Sequence, residues 1–208
     1  MAVPTYRIAG GGSTGLNAIN IELWGFRQCP HAPPEMIAAA LACLPPHQLE
    51  GLKSVRYEQS ALVPGFTRWL RLPGLSRLKG SYQRESSTIL LHACASREEL
   101  FRTLFHEAGH FVYYRILSSF EKKQWVTSVF RAEPPVSRYG SRNASEDFAE
   151  AFATYVLFPG ALSALPGKER FMASVVFRGS AADHAGLRNL MQGLGPNGQP
   201  QQRLDRYV

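Results

Sequence analysis

Apolar side chains recur every three to four positions along several segments, a spacing that predicts amphipathic or buried α-helices. The segments are 35–44, 100–112, 120–131, one that begins near Ser145, and 169–177. Within 100–112 the apolar positions cover most of the helix surface, so we expect this helix to be buried on most sides. Ser96, three residues before Glu99, has the pattern of a capping box and predicts where that helix begins.

Shorter segments either alternate between apolar and polar positions or are β-prone throughout, and these predict strands. Residues 53–60 alternate, whereas 88–91 form a continuous run with the length of a buried strand. Residues 81–84 are a candidate hairpin partner for that strand. We therefore predict an α+β fold, mostly helical, with a small mixed sheet next to the helix at 100–112.

The 208-residue length suits one domain with a substantial core. Residues 1–20 contain three consecutive glycines and few apolar positions, so we predict a flexible lead. We place the folded domain at 21–178. From residue 179 the chain is rich in Gly, Asn and Gln, and we predict that 179–208 are largely a flexible tail.

Composition narrows the classes of protein to consider. The hydrophobic content of 45% is typical of a globular domain, and no apolar run approaches the roughly 20 residues that span a bilayer. The first ten residues lack the apolar core of a Sec-type signal peptide, which predicts synthesis in the cytoplasm and leaves a specialised export route open. Three cysteines without a Cys-x-x-Cys pair indicate reduced thiols and exclude a cysteine zinc ribbon.

The net charge of +7 is unevenly distributed, because the stretch 68–84 contains no acidic residue. Its five basic residues are Arg68, Arg71, Arg77, Lys79 and Arg84. Such a stretch can attract nucleic acid, anionic lipid or an acidic substrate. The alternative is a solvated surface, and we favour it, so nucleic acid is not an expected partner.

The sequence His-Glu-Ala-Gly-His at 106–110 lies inside the predicted helix 100–112. Residues four apart on an α-helix are rotated by about 40° relative to each other and lie about 6 Å apart along the axis. His106 and His110 therefore project from one face, where two imidazoles can share a zinc ion. Glu107 lies beside that face, in the position of a base for a metal-activated water. The alternative is two histidines on an ordinary amphipathic helix.

A catalytic zinc site has three protein ligands and one open position, so one further ligand is needed. Glu146 and Glu150 share one face of the helix that begins near Ser145, between apolar residues. One carboxylate could bind the metal while the other holds a ligating histidine. The alternative is two exposed carboxylates at a helix N-terminus. Asp147 points about 100° away from Glu146, so we expect zinc binding to survive its replacement by alanine.

The motif at 106–110, Tyr139 and the sequence Glu-Asp-Phe-Ala-Glu-Ala-Phe at 146–152 together resemble a known family. They are similar to the catalytic domain of anthrax lethal factor and to the related Pro-Pro endopeptidases, which are zinc peptidases of the zincin class. In that family a tyrosine precedes the ligand glutamate by seven residues, and Tyr139 and Glu146 keep this separation. The resemblance covers roughly residues 34–158 and is most specific in 104–152.

The resemblance implies a zincin-like, gluzincin-like domain that uses Zn²⁺ to hydrolyse a bond in a protein or peptide. It implies His106, His110 and Glu146 as zinc ligands. It further implies Glu107 as general base, Tyr139 as the donor to the oxyanion, and Glu150 as the acid that holds a ligating histidine. An extended substrate would be expected to pair with a strand, for which we take 88–91.

Some features depart from the family. The relatives are exported with signal sequences, whereas this chain shows none, and both the basic stretch and the glycine-rich tail lie outside the shared pattern. The chain contains three Pro-Pro pairs of its own, so Pro-Pro specificity would require that they are sequestered. The rival hypothesis is a non-enzymatic binding module on the same frame, which would use 68–84 to contact nucleic acid or anionic lipid.

Overall fold

The computed structural model describes residues 5–8, 19–59 and 79–193, and about half of the chain is helical. The strands are β1 (Thr5–Ile8), β2 (Ile19–Trp24), β3 (Ser54–Glu58), β4 (Gly80–Gln83) and β5 (Thr88–His92). The helices are α1 (Pro34–Ala42), α2 (Arg97–Phe111), α3 (Ser119–Gln124), α4 (Ala144–Leu157), α5 (Pro166–Phe171) and α6 (His184–Met191). Wider, π-helical turns continue α2, α3 and α5 over Val112–Ile116, Trp125–Phe130 and Met172–Val176. Among these residues, no helix has the length and apolar character needed to cross a membrane.

The strands form one mixed sheet in the order β1-β2-β3-β5-β4. β3 lies parallel to both β2 and β5, while β1 and β4 pair antiparallel with β2 and β5. The strands predicted at 53–60 and 88–91 are confirmed, as is the hairpin partner at 81–84. The expectation that 88–91 pairs with a substrate is wrong, because β5 is hydrogen-bonded on both sides, to β3 and β4. Among the residues described, β4 is the strand at that edge of the sheet.

Both predicted flexible ends contain regular structure. β1 lies within the predicted lead and pairs with β2, and the Tyr6 hydroxyl donates to Glu35 Oε1 over 2.8 Å. α6 lies within the predicted tail, where Leu187 and Leu190 are buried in the core. Regular elements thus occur within both predicted ends, because these short segments find partners that are distant in sequence. Residues 1–4, 9–18 and 194–208 lie outside the described part of the chain, as do 60–78, which include most of the basic stretch.

α2 is the central helix, and it packs against β4 and β5 on one side and against α4 on another. The Ser96 side chain accepts a hydrogen bond from the Glu99 amide, which confirms the predicted start of the helix. Phe101, Phe105 and Phe111 are fully buried, as expected for a helix with apolar residues on most sides. α2 therefore presents its histidines between the sheet and α4.

The position of α4 depends on a buried ion pair. Asp147 in its first turn contacts the Lys168 ammonium at 2.5 Å, and both side chains are 0% exposed. The other Asp147 oxygen, Oδ1, accepts a hydrogen bond from the Val136 amide at 2.9 Å. Asp147 thus fixes α4 to α5 and to the loop that carries Tyr139. The expectation that zinc binding survives Asp147→Ala stays a prediction, and the buried pair with Lys168 gives Asp147 a structural role that the sequence did not indicate.

Replacing Asp147 should therefore destabilise the fold. Asp147→Ala leaves the Lys168 ammonium buried without its partner, and we expect a loss of about 3–5 kcal/mol in the free energy of unfolding. Urea denaturation measures this loss. Glu85→Ala, at an exposed acidic position, is the matched control and should change stability by less than about 0.5 kcal/mol.

The double variant Asp147→Leu with Lys168→Met should recover much of the lost stability, since it removes both buried charges. A loss below about 1 kcal/mol for Asp147→Ala alone would contradict the importance of the buried pair.

Candidate metal centre

Three side chains from two helices converge beside the sheet. His106 and His110 of α2 each place Nε2 3.2 Å from Glu146 Oε2 of α4. One ligand atom from each of the three residues can be chosen so that all lie within 4.8 Å of one another. Ligand atoms at 2.0–2.1 Å around a tetrahedral ion lie about 3.4 Å apart, close to the two Nε2–Oε2 distances. The structure thus brings together the three residues predicted as ligands, as a candidate metal-binding cluster.

Glu150, one turn after Glu146, contacts the His106 ring on the side that faces away from the cluster. Its Oε1 lies 2.8 Å from His106 Nδ1, on the far side of the ring from Glu146. With Nδ1 protonated and donating to Glu150, the Nε2 lone pair is free to bind a metal. Arg102 lies 3.8 Å from the other Glu150 oxygen. Glu146 therefore lies close to both histidines, whereas Glu150 contacts His106 alone of the two.

His110 is supported differently. Its Nδ1 atom is buried without a hydrogen-bond partner among the described residues. Its ring instead stacks on that of Tyr114, with centroids 6.2 Å apart and an interplanar angle of 20°. Ring packing therefore orients His110, whereas a carboxylate orients His106.

The protonation equilibria of the metal-free cluster fit a cation site. Burial disfavours a charged His106, but hydrogen bonds to Glu146 and Glu150 outweigh it and raise its pKa to about 9. Burial likewise disfavours an ionised Glu146, but hydrogen bonds from His106 and His110 lower its pKa to about 2. Without a metal, these pKa shifts favour a protonated His106 beside an ionised Glu146. A divalent cation would supply positive charge to the same three atoms.

Glu107 is placed beside the cluster and is not part of it. Its side chain is 6% exposed, and burial, assisted by the charge of Glu146, raises its pKa against the opposing effect of the two histidines. It packs against β4, where a Cβ atom on Gly80 would lie 2.9 Å from Glu107 Cγ. The Tyr82 backbone lies near the Glu107 carboxylate and has a small, lowering effect on its pKa. The predicted base thus lies between the cluster and the edge strand.

Tyr139 lies at the mouth of the cluster. Its ring is 39% exposed and meets the His106 ring edge-on, with centroids 5.6 Å apart. Burial raises the pKa of its hydroxyl, and so does the charge of Glu146, while Arg142 opposes them. A neutral hydroxyl is the form that can donate a hydrogen bond. The predicted oxyanion donor is therefore close to the predicted ligands.

The sequence interpretation missed several neighbours of the site. Tyr114 contacts His110, and Arg84 lies over the Tyr114 ring. Arg142 lies over the Tyr139 ring. The spacing of four between His110 and Tyr114 on one helix was a usable signal. By contrast, nothing local indicates that Arg84 reaches Tyr114, which lies 30 residues away in sequence.

A scan of the chain against protein-family models gives no match, and a search of curated protein sequences gives none either. Any assignment of function therefore rests on the residues and on the geometry of the site.

The cluster predicts a graded loss of metal affinity. His110→Ala and Glu146→Ala each remove a predicted ligand, so we expect both variants to lose metal outright. Glu150→Gln removes a partner of a ligand and should weaken binding by about 10–100-fold. Calorimetric titration with Zn²⁺ as the probe measures these affinities, and Glu98→Gln, at an exposed acidic position on α2, is the control. A larger loss for Glu150→Gln than for Glu146→Ala would reverse the two assignments.

The raised pKa of His106 predicts how the stability of the metal-free protein depends on pH. The folded-state value of about 9 exceeds the ordinary value of 6.5, so the imidazolium stabilises the fold fully below about pH 6.5. That contribution is lost as the pH rises through about 9. We expect the urea midpoint of chelator-treated protein to fall between these pH values. The fall should be absent in His106→Gln, and parallel pH curves for the two proteins would contradict the coupling.

Proposed function

We propose that the chain is a zinc-dependent endopeptidase with a zincin-like fold. The observation that supports this most strongly is the convergence of His106, His110 and Glu146, with a buried carboxylate beside them. Two imidazoles and one carboxylate form a ligand set that catalytic zinc uses in peptidases, and a fourth position stays open for the reaction. Zinc bound there would polarise the scissile carbonyl and make a water molecule acidic near neutral pH.

Glu107 is the general base and then the general acid in this proposal. Its carboxylate takes the proton of the attacking water and later delivers it to the leaving amine. Burial raises its pKa, which makes the carboxylate a better proton acceptor near neutral pH. Contact with β4 holds the carboxylate in place, so little reorganisation accompanies the proton transfer.

Tyr139 and Glu150 assist the reaction. The Tyr139 hydroxyl would donate a hydrogen bond to the oxyanion of the tetrahedral intermediate, and such donors contribute about 3–4 kcal/mol in comparable sites. Glu150 keeps His106 in one tautomer and orientation through the Nδ1 contact of 2.8 Å. The buried Asp147 keeps the loop of Tyr139 against the start of α4.

The substrate would lie along β4. This strand has one neighbour among the described strands, so its outer edge can accept an extended peptide by strand addition. The Tyr82 backbone lies near Glu107, which brings the strand next to the reacting groups. A peptide on β4 would therefore pass the cluster with its backbone already oriented.

The rival hypothesis of a nucleic-acid or lipid-binding module gains no support from the described part of the basic stretch. Lys79 is paired with Glu99 at 3.2 Å, and Arg84 lies over the Tyr114 ring. The Lys79 ammonium is thus engaged by an acidic side chain, and one exposed Arg84 does not form the extended row of cations that binds a phosphate backbone. A binding module would also have no need of the buried Glu107 and of Tyr139 beside the cluster.

Catalytic roles are tested by variants that separate metal binding from turnover. Glu107→Gln should keep one zinc per chain and lose turnover, because Glu107 is not a ligand. Tyr139→Phe should also keep zinc and should lower kcat by about 10²–10³-fold. Zinc stoichiometry and mass-spectrometric cleavage of a peptide library measure both effects. Glu98→Gln is again the control, and it should keep full activity.

Two results would contradict the proposal. Glu107→Gln that purifies without zinc would make Glu107 a ligand and not a base. Wild-type protein that holds zinc and cleaves no peptide in a diverse library would favour a binding module.

A further inference from the structure

Two arginine–tyrosine pairs flank the metal cluster, one beside each histidine. Tyr114 stacks on His110, and the Arg84 guanidinium carbon lies 3.2 Å from the centroid of the Tyr114 ring. Tyr139 packs edge-on against His106, and the Arg142 guanidinium carbon lies 4.2 Å from the centroid of the Tyr139 ring. Each arginine is therefore one aromatic ring away from a predicted ligand.

Both guanidinium groups are available to bind an anion. Arg84 and Arg142 are exposed, and neither forms an ion pair with an acidic side chain in the described part of the chain. Arg102 and Lys79 differ in this respect, since they contact Glu150 and Glu99. Stacking on a tyrosine face restrains a guanidinium and leaves its N–H edge free for a carboxylate.

The elements that carry the two arginines place them near the proposed path of the peptide. Arg84 follows directly after β4, two residues beyond Tyr82, whose backbone lies near Glu107. Two residues along a strand span about 7 Å, so Arg84 would be within reach of the side chains of a peptide that lay along β4 beside Glu107. Arg142 is the last residue of the short helical turn Gly140–Arg142, which begins directly after Tyr139.

The arginines also change the electrostatic balance of the cleft. Glu107, Glu146 and Glu150 bring three carboxylates to the cleft, which a divalent ion together with Arg102, 3.8 Å from Glu150, would balance. Arg84 and Arg142 therefore add net positive charge at the rim of the cleft, which favours an acidic peptide. The net charge of +7 would in addition attract acidic chains from solution.

We propose that Arg84 and Arg142 make the site selective for acidic peptides, with aspartate or glutamate side chains of the substrate bound by the two guanidinium groups. This inference rests on the proposed function, because it assumes that a peptide occupies the cleft. Each contact would be a charge-assisted, two-pronged hydrogen bond between guanidinium and carboxylate.

Peptide binding to zinc-loaded Glu107→Gln tests this directly, since that variant should bind substrate without cutting it. The probes are three pools of fluorescent peptides that share the same central pair of residues. The positions on either side of that pair carry Asp/Glu in the first pool, Asn/Gln in the second and Lys/Arg in the third. We expect the acidic pool to bind about threefold to tenfold more tightly per arginine than the neutral pool. Fluorescence anisotropy gives the Kd values.

Substitutions made in the Glu107→Gln background assign the preference to the two side chains. Arg84→Gln and Arg142→Gln should each lower affinity for the acidic pool and leave affinity for the neutral pool unchanged. Arg131→Gln is the matched control, because Arg131 is exposed and stacks on no aromatic ring in the described part of the chain. The double variant Arg84→Glu with Arg142→Glu should bind the Lys/Arg pool more tightly than the acidic pool. Misfolding would weaken binding of every pool and cannot produce this reversed preference.

The outcomes separate this inference from the proposed function. Equal affinity for the three pools, or an acidic preference that survives both glutamine substitutions, would overturn it. If the wild-type enzyme cleaves neutral and basic library members as fast as acidic ones, endopeptidase activity stands and the selectivity is wrong. If the acidic pool binds through both arginines and no peptide is cleaved, the selectivity stands and the catalytic proposal is wrong.

Discussion

The close contact between α2 and α4 at Gly109 determines where the side chains of the candidate metal cluster lie. A Cβ atom on Gly109 would be 2.9 Å from Ala149 Cα and 3.1 Å from Phe152 Cβ, closer than packed atoms approach. Because Gly109 has no side chain, the two helices can approach at this point. Glu146 and Glu150 of α4 then reach across to His106 and His110 of α2. A larger residue would have to separate the helices and, with them, the predicted ligands.

The rest of the site is built around that contact. β4 and β5 pack on another side of α2 and keep Glu107 buried against Gly80. The Asp147–Lys168 pair connects α4 to α5, and the Val136 hydrogen bond connects it to the Tyr139 loop. Polar groups that are costly to bury are thus satisfied by partners from different elements. The consequence is that the candidate metal cluster, Glu107 and Tyr139 are each fixed by a separate set of contacts.

Features set by nearby residues could be predicted from sequence, and features set by distant partners could not. The predicted helix 100–112, the helix near Ser145 and the hairpin 81–91 depend on local periodicity, and the structure confirms them. The site residues followed from spacing and from the family resemblance. β1 and α6 were missed, because short segments gain their stability from partners far away in the chain. Lys168 was missed for the same reason, since a lysine normally indicates an exposed position.

The central claim is that His106, His110 and Glu146 hold a catalytic zinc. X-ray absorption at the zinc edge of the zinc-loaded, full-length protein tests it most directly. The account predicts two imidazole nitrogens and oxygen ligands at about 2.0–2.1 Å, with no sulfur, and loss of one imidazole in His110→Ala. A zinc–sulfur distance of about 2.3 Å would place the metal on the cysteines and contradict the account. So would a wild-type protein that retains no zinc after dialysis.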